Sequence, residues 1–419
     1  MFASRKLALC GSIAWCAAVG LSMPVSAQTS PASGPVARYD MRAGTVTGMG
    51  AMGGGMRGAM GMAFGGGGGS APQHELYLRL GSVQPPVKSA PKADHFMPPA
   101  VKLGKSVPLL TPQAERGARD ELPQMGNEKP RGRMLIFWGC GEHAPKGQPV
   151  IIDFAKLSAG QMPPGMWSST VLRDWGPTLA NSKTFGRWPN DDTMGGNKTI
   201  RSDASLIGAH RVAGNYSPEI AFTLAKDFMA GLTVRTSSLP SGAGMLRWNA
   251  VPDATGYYAT LFGGKQGPNG EMGDMVMWSS SATRQFGGGL QDWLSPSQVS
   301  PLVTNKTVLP PTATACILPA EVKAATEFRM GTLTAFGPEE NFSYPPRPSD
   351  PKAAWALQWT SRIRHRSSTS WMDMPGMSGG MPGDMASEEG EGREAPRPNC
   401  KPKGLGGIMG GVLTGRTGC

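Results

Sequence analysis

Residues Gly244–Gly264 read GMLRWNAVPDATGYYATLFGG, and this stretch decides the fold class. Trp248 closes one strand-like run. Pro252, Asp253 and Ala254 then make a turn, since proline presets φ and aspartate bonds to its own backbone. Tyr257, Ala259 and Leu261 follow at alternate positions, the period of a strand with one buried face. A strand, a tight turn and a second strand predict β structure here.

The pattern continues downstream in Thr326–Pro345, TEFRMGTLTAFGPEENFSYP, where Met330, Thr332 and Thr334 alternate with Gly331, Leu333 and Ala335 before a glycine turn. A further strand fits ATACILPAEV, Ala313–Val322. The tryptophan near the end of one strand, the short linking turn and the tyrosine on the next resemble strands B and C of fibronectin type III domains. The Thr326–Pro345 stretch is similar to their F and G strands. The resemblance covers 231–346. It departs from the family in lacking the usual strand-F tyrosine, Phe336 being the nearest aromatic, and in a long segment over 263–315. It implies a sandwich that binds or spaces other domains.

The region 73–230 reads as an irregular N-terminal β domain. In HELYLRLGS, Glu75, Tyr77 and Arg79 alternate with Leu76, Leu78 and Leu80. RGRMLIFWGCGEH predicts a buried strand over Met134–Trp138, and QPVIIDFAKL another. LIGAHRV and EIAFTLA are two more strands, separated by the turn GNYSPE. Long helical periods are absent, so the fold class is mainly β.

The ends of the chain read differently. Arg5 and Lys6, an apolar run from Leu7 to Leu21, and Val25-Ser26-Ala27 form a secretory signal peptide over 1–27. The run is broken by glycines and stops at Pro24, short of the roughly 20 residues a bilayer span needs. The mature chain is expected to have no transmembrane span. Segment 28–72 contains GTVTGMGAMGGGMRGAMGMAFGGGGGS and reads as a disordered Gly/Met-rich spacer, because glycine at that density is costly to order. Segment 347–419 reads as a mostly disordered Met/Pro/Gly-rich tail. Its last stretch spaces Leu405, Ile408, Met409, Val412 and Leu413 along one face of a short helix, which would allow peripheral association with a surface.

The net charge is +11, and it falls by two, to +9, once Arg5 and Lys6 leave. No long block of like charge accompanies it; the longest basic cluster is RIRHR, Arg362–Arg366. Nucleic acid is therefore not an expected partner; the resemblance to fibronectin type III modules implies an envelope protein or a polysaccharide instead. Export leaves Cys140, Cys316, Cys400 and Cys419 in an oxidising compartment, with three connectivities open. Cys140 and Cys316 lie in apolar, strand-like sequence. They are expected to be buried near each other, bridged, and to tie the first β domain to the second.

Catalytic motifs lack their required settings. Gly376-Met377-Ser378-Gly379-Gly380 matches a nucleophile elbow only in letters, without the strand before and helix after that the elbow needs. Gly48, Gly50 and Gly53 match a dinucleotide fingerprint with the same defect. Cys140 and His143 have the spacing of half a metal site, without a second pair. Asp191 and Asp192 beside a glycine turn lack the spacing of a calcium loop. Exposed aromatics would suit a saccharide or protein surface, and Trp278, Trp293, Trp355, Trp359 and Trp371 are the candidates; Trp138 and Trp248 read as core.

One motif has its own chemistry. WMDMPGMSGGMPGDM, Trp371–Met385, places Met372, Met374, Met377, Met381 and Met385 in a short Gly/Pro-rich stretch. Neutral thioether sulfur suits Cu(I) and Ag(I). The stretch resembles the Met-rich repeats of periplasmic copper-resistance proteins, without their histidines. The sequence thus predicts an exported protein, periplasmic, outer-membrane-associated or extracellular, that is a non-enzymatic binding or structural module with no cofactor. Cu(I) or Ag(I) handling by the methionines is the alternative, and an unrecognised hydrolase the third class.

Overall fold

The computed structural model of the chain describes residues 34–52, 71–112, 132–158, 176–189, 199–266, 272–285, 292–350 and 353–373, with residues 161, 172, 289 and 290. These residues are mainly β. The signal segment 1–27 lies outside them, as do the Met/Pro/Gly stretch beyond Asp373 and the two cysteines it contains.

The stretch that opens the β pattern folds as expected. Strand β12 (Gly244–Trp248) ends at Trp248, and β13 (Gly256–Gln266) carries Tyr257, Ala259 and Leu261 inward. Trp248 and Tyr257 meet with ring centroids 5.7 Å apart. β12 lies between β11 (Val234–Ser238) and β15 (Ala315–Leu318) in a three-stranded sheet. β13 lies between β14 (Met272–Ser279) and β16 (Phe328–Tyr344) in a ten-stranded sheet.

That large sheet takes strands from the whole chain. Beyond β14 it continues through β5 (Arg133–Trp138) to β6 (Val150–Asp153). Beyond β16 it runs through β17 (Trp359–Asp373), β1 (Ala37–Gly48) and β2 (Gln73–Ser82) to β7 (Thr184–Trp188), with β8 (Thr199–Ile200) also on β2. A four-stranded sheet is ordered β10 (Ile220–Leu224), β9 (Gly208–Gly214), β3 (Ala93–Phe96), β4 (Ser106–Pro108). Both small sheets cover one face of the large sheet. Trp359 and Ile363 of β17 join the core beneath the four-stranded sheet, with Tyr39, Met41 and Leu76–Leu80 positions of β1 and β2. Trp371, at the same parity of β17, packs with the core beneath the three-stranded sheet.

Four expectations are corrected. The spacer 28–72 contains β1, a twelve-residue strand at the centre of the large sheet, parallel to β17 and antiparallel to β2. Its glycines hid an alternation in which Tyr39, Met41 and Ala43 face the core and Asp40 and Arg42 face away, all of them buried. The tail 347–419 likewise begins with β17, where Trp359, Ser361, Ile363 and His365 alternate with Thr360, Arg362 and Arg364; a strand buried on both faces by charge pairing loses its simple hydrophobic pattern. The boundary near 230 does not separate two sheets, because β5 pairs with β14 and β1 with β17.

The Thr326–Pro345 stretch is also one strand, β16, not two. Its register slips between Phe336 and Glu339, three residues facing two on β17. This bulge reverses the parity. Phe336 therefore faces outward into a cluster with Tyr258, Leu294, Val299 and Leu302, whereas Phe342 faces inward against the other core. The helix Pro296–Thr304, capped by Ser295 and Gln298, supplies much of that outer cluster.

Cys140, in the turn after β5, is bonded to Cys316 of β15, with the Cα atoms 5.2 Å apart; Cys316 is buried as expected, but Cys140 is exposed, because the turn carries it out of the sheet. The bridge ties one end of the large sheet to the three-stranded sheet. Among the described residues, no helix is long and apolar enough to cross a membrane.

Candidate functional site

RIRHR, with its preceding residues, supplies the site. On β17, Arg362, Arg364 and Arg366 occupy alternate positions, so all project from the face opposite the two cores. The parallel register sets Asp40 beside Arg362 and Arg42 beside Arg364. Asp40 is buried and accepts from Arg42 Nε at 3.0 Å, Arg362 Nε at 3.3 Å and Arg364 Nη2 at 2.8 and 2.9 Å. Three guanidiniums thus surround one carboxylate.

Half of this face is roofed. Arg42 Nη1 reaches Asp292 at 3.4 Å, and Arg364 Nη1 donates to the Trp293 carbonyl. Arg366 lies 4.0 Å over the Trp293 ring and bonds Glu75 at 2.9 Å. The other half is open. There a cleft of ≈ 370 Å³ is lined by Arg38, Asp40, Asn341, Ser343, Thr360 and Arg362, with Trp355 on its wall. Trp355 Nε1 donates to the Pro345 carbonyl at 3.0 Å, which fixes the indole. Arg38 is exposed and has no ion-pair partner among the described residues. Arg38 thus brings to the mouth a positive charge that no described carboxylate neutralises.

Guanidiniums bind carboxylate, sulfate or phosphate oxygens in planar, paired geometry. An amide, two hydroxyls and an indole beside them suit a sugar ring, with its hydroxyl edge and apolar face. The arrangement favours an anionic, hydroxyl-bearing ligand.

The other candidate tryptophans are dispersed. Trp278 is core, its Nε1 donating to Gly139 O at 2.9 Å; Trp359 is core; Trp293 lies under Arg366; Trp371 is half-buried over Gly331. Trp248 is buried as expected, but Trp138 is only half-buried, on the side away from Phe137. Met372 stands exposed on β17, while Met374, Met377, Met381 and Met385 lie outside the described residues, as do Cys400 and Cys419. Cys140 is committed to its disulfide, and His143 Nδ1 lies 3.1 Å from Glu321. The Cys140–His143 pair is therefore not half of a metal site. Among the described residues no three His, Cys, Asp or Glu side chains converge on a metal position.

Sequence reasoning missed a buried chain of polar rings. Tyr39 Oη lies 2.7 Å from His95 Nδ1, His95 Nε2 lies 3.0 Å from His210 Nδ1, and His210 Nε2 lies 2.7 Å from the Leu206 carbonyl. The carbonyl only accepts, so His210 carries a proton on Nε2; with both rings held neutral by burial, His95 also carries its proton on Nε2, and Tyr39 donates. Burial holds His95 well below the ordinary histidine range, with the neighbouring His210 adding to the shift; burial lowers His210 as well. The chain joins β1 to β3 and β9, and its only sequence signal is a histidine at an inward position of each short strand. No protein-family model, curated protein or solved structure matches the chain.

Proposed function

We propose that this chain is an exported, non-enzymatic binding protein of a bacterial envelope whose arginine-lined cleft takes an acidic polysaccharide. The observation that carries the reading is Arg38 and Arg362 beside Asn341, Ser343 and Trp355 in one open cleft. The leader sequence supports export. The fibronectin type III-like module expected over 231–346 is part of the proposal, extended here to include β17. It is supported by strand order, a β11-β12-β15 sheet facing β14-β13-β16-β17. Affinity electrophoresis in gels containing polygalacturonate or a neutral glucan tests the reading. Retardation is expected from polygalacturonate alone, weakening with salt and with Arg38→Gln. Equal retardation by both polymers, or none, would overturn it.

One observation favours a second reading, Cu(I) or Ag(I) handling by methionine. Met330 of β16 lies directly opposite Met372 on β17, and they are 47% and 40% exposed. Two neutral sulfurs thus stand side by side on a sheet at the point where the Met-rich stretch begins. Titration with Ag(I) checks it. Affinity should fall when Met330 and Met372 become leucine, and an unchanged affinity after all five tail methionines and Met330 are replaced removes the idea.

A further inference from the structure

A second cleft, of ≈ 250 Å³, opens on the inner side of the large sheet, between the edge strand β11 and the end of β17. Its floor is apolar. Leu246, Leu261 and Leu318 come from three strands and are all buried. Trp371 joins them with its indole laid against Gly331, where any Cβ would overlap the ring. The absence of a side chain at Gly331 is what lets the indole lie flat.

The rim is polar, and for a particular reason. Thr236 and Ser238 pair in register with Leu246 and Gly244, so they occupy inward-facing positions of β11. Inward positions of a sandwich are ordinarily apolar and covered. Here both are hydroxyl-bearing and exposed, so this flank of the sandwich is open to water.

Charge on the rim is unevenly matched. Arg329 Nε and Nη2 both bond Asp373 Oδ2, at 3.0 and 2.7 Å, and its Nη1 is taken up by Thr326. That ion pair is neutral. Lys323 Nζ has only the Ser238 hydroxyl, at 2.8 Å, and no carboxylate among the described residues. One ammonium therefore stands over an apolar floor without a counter-charge.

We propose that this cleft binds a small amphiphile with a short hydrocarbon body and a single anionic head, of the class of medium-chain fatty acids. The hydrocarbon lies along Trp371, Leu246, Leu261 and Leu318; Lys323 and the Ser238 hydroxyl hold the head. The volume falls below the roughly 300–1,000 Å³ of drug-sized sites, which limits the body to a short chain. The site is separate from the arginine cleft. Trp371 and Asp373 project from one face of β17, and Thr360 and Arg362 from the other.

Calorimetric titration of the intact protein with octanoate and with 1-octanol tests this. Octanoate should bind, and 1-octanol more weakly. Lys323→Gln, a substitution at the rim, should weaken octanoate by ~10-fold or more, the usual loss for a charged hydrogen-bond partner, and leave 1-octanol unchanged. Thr236→Leu, which fills the open flank with hydrocarbon, should abolish both. No octanoate binding to the unaltered protein overturns the proposal. So does binding that both variants retain, or an equal loss of both probes in Lys323→Gln. Polygalacturonate retardation should be unaffected throughout, which keeps this test apart from that of the arginine cleft.

Discussion

Asp40 accepts two hydrogen bonds from Nη2 of Arg364, at 2.8 and 2.9 Å, between adjacent parallel strands whose residues lie 324 positions apart. Both side chains are at most 2% exposed. The pair fastens the first strand of the sheet to its last. Removing the acid would leave Arg364 and Arg42 buried without their shared counter-charge. Asp40→Ala is expected to destabilise the fold by about 3–5 kcal/mol, the range for breaking one side of a buried pair. Urea unfolding measures it; a loss below about 1 kcal/mol would show that water or a neighbouring acid compensates.

The Cys140–Cys316 bond closes a loop with a sequence separation of 176. In the chain-entropy account, such a loop contributes about 5 kcal/mol by restricting the unfolded chain. The double variant Cys140→Ala, Cys316→Ala should lower the unfolding midpoint accordingly. Because the bond connects the turn after β5 to β15, hydrogen exchange should rise first in β5 and β15. Uniform exchange across the sheet would argue against that placement.

Acid should weaken the protein by driving its buried histidines toward protonation. Burial pushes His365 down from 6.5 to about 4, and neither of its ring nitrogens has a hydrogen-bond partner among the described residues. His95, His210 and His74 are lowered too, each chiefly by burial. A histidine held neutral in the fold takes up protons on unfolding, so its contribution is complete above the unfolded value of 6.5. It is lost as pH falls toward the folded value. For His365 alone the loss approaches about 3 kcal/mol by pH 4. Unfolding midpoints between pH 7.5 and 4 should fall steadily, and His365→Leu should flatten the slope. Superimposable slopes for the two proteins would refute the assignment.

Gly331 and Trp371 face each other across β16 and β17, and the indole occupies the space that a side chain at 331 would need. Gly331→Val should therefore cost about 1–3 kcal/mol, as overpacked cores do, and displace the ring. Near-ultraviolet circular dichroism should change with it. An unchanged spectrum with unchanged stability would mean that the ring is not seated there.

Local pattern decided much of this protein. The leucines of β2 and the Trp248–turn–Tyr257 sequence show the alternation of a half-buried strand, the apolar run of β5 is short and stopped by a glycine turn, and each folds as strand. The apolar, strand-like settings of Cys140 and Cys316 pointed to the bond they form. Tertiary structure alone decided which strands meet. β1 lies in glycine-rich sequence and β17 in polar sequence. Each is stabilised by the other: the arginines of β17 are buried because Asp40 neutralises them, and Asp40 because the arginines do. Neither stretch carries that pairing by itself, since a charge reads as a surface residue until its partner is placed. The same holds for the arginine cleft, whose residues Arg38, Asn341 and Arg362 are spread along the chain and converge only through the register of three adjacent strands.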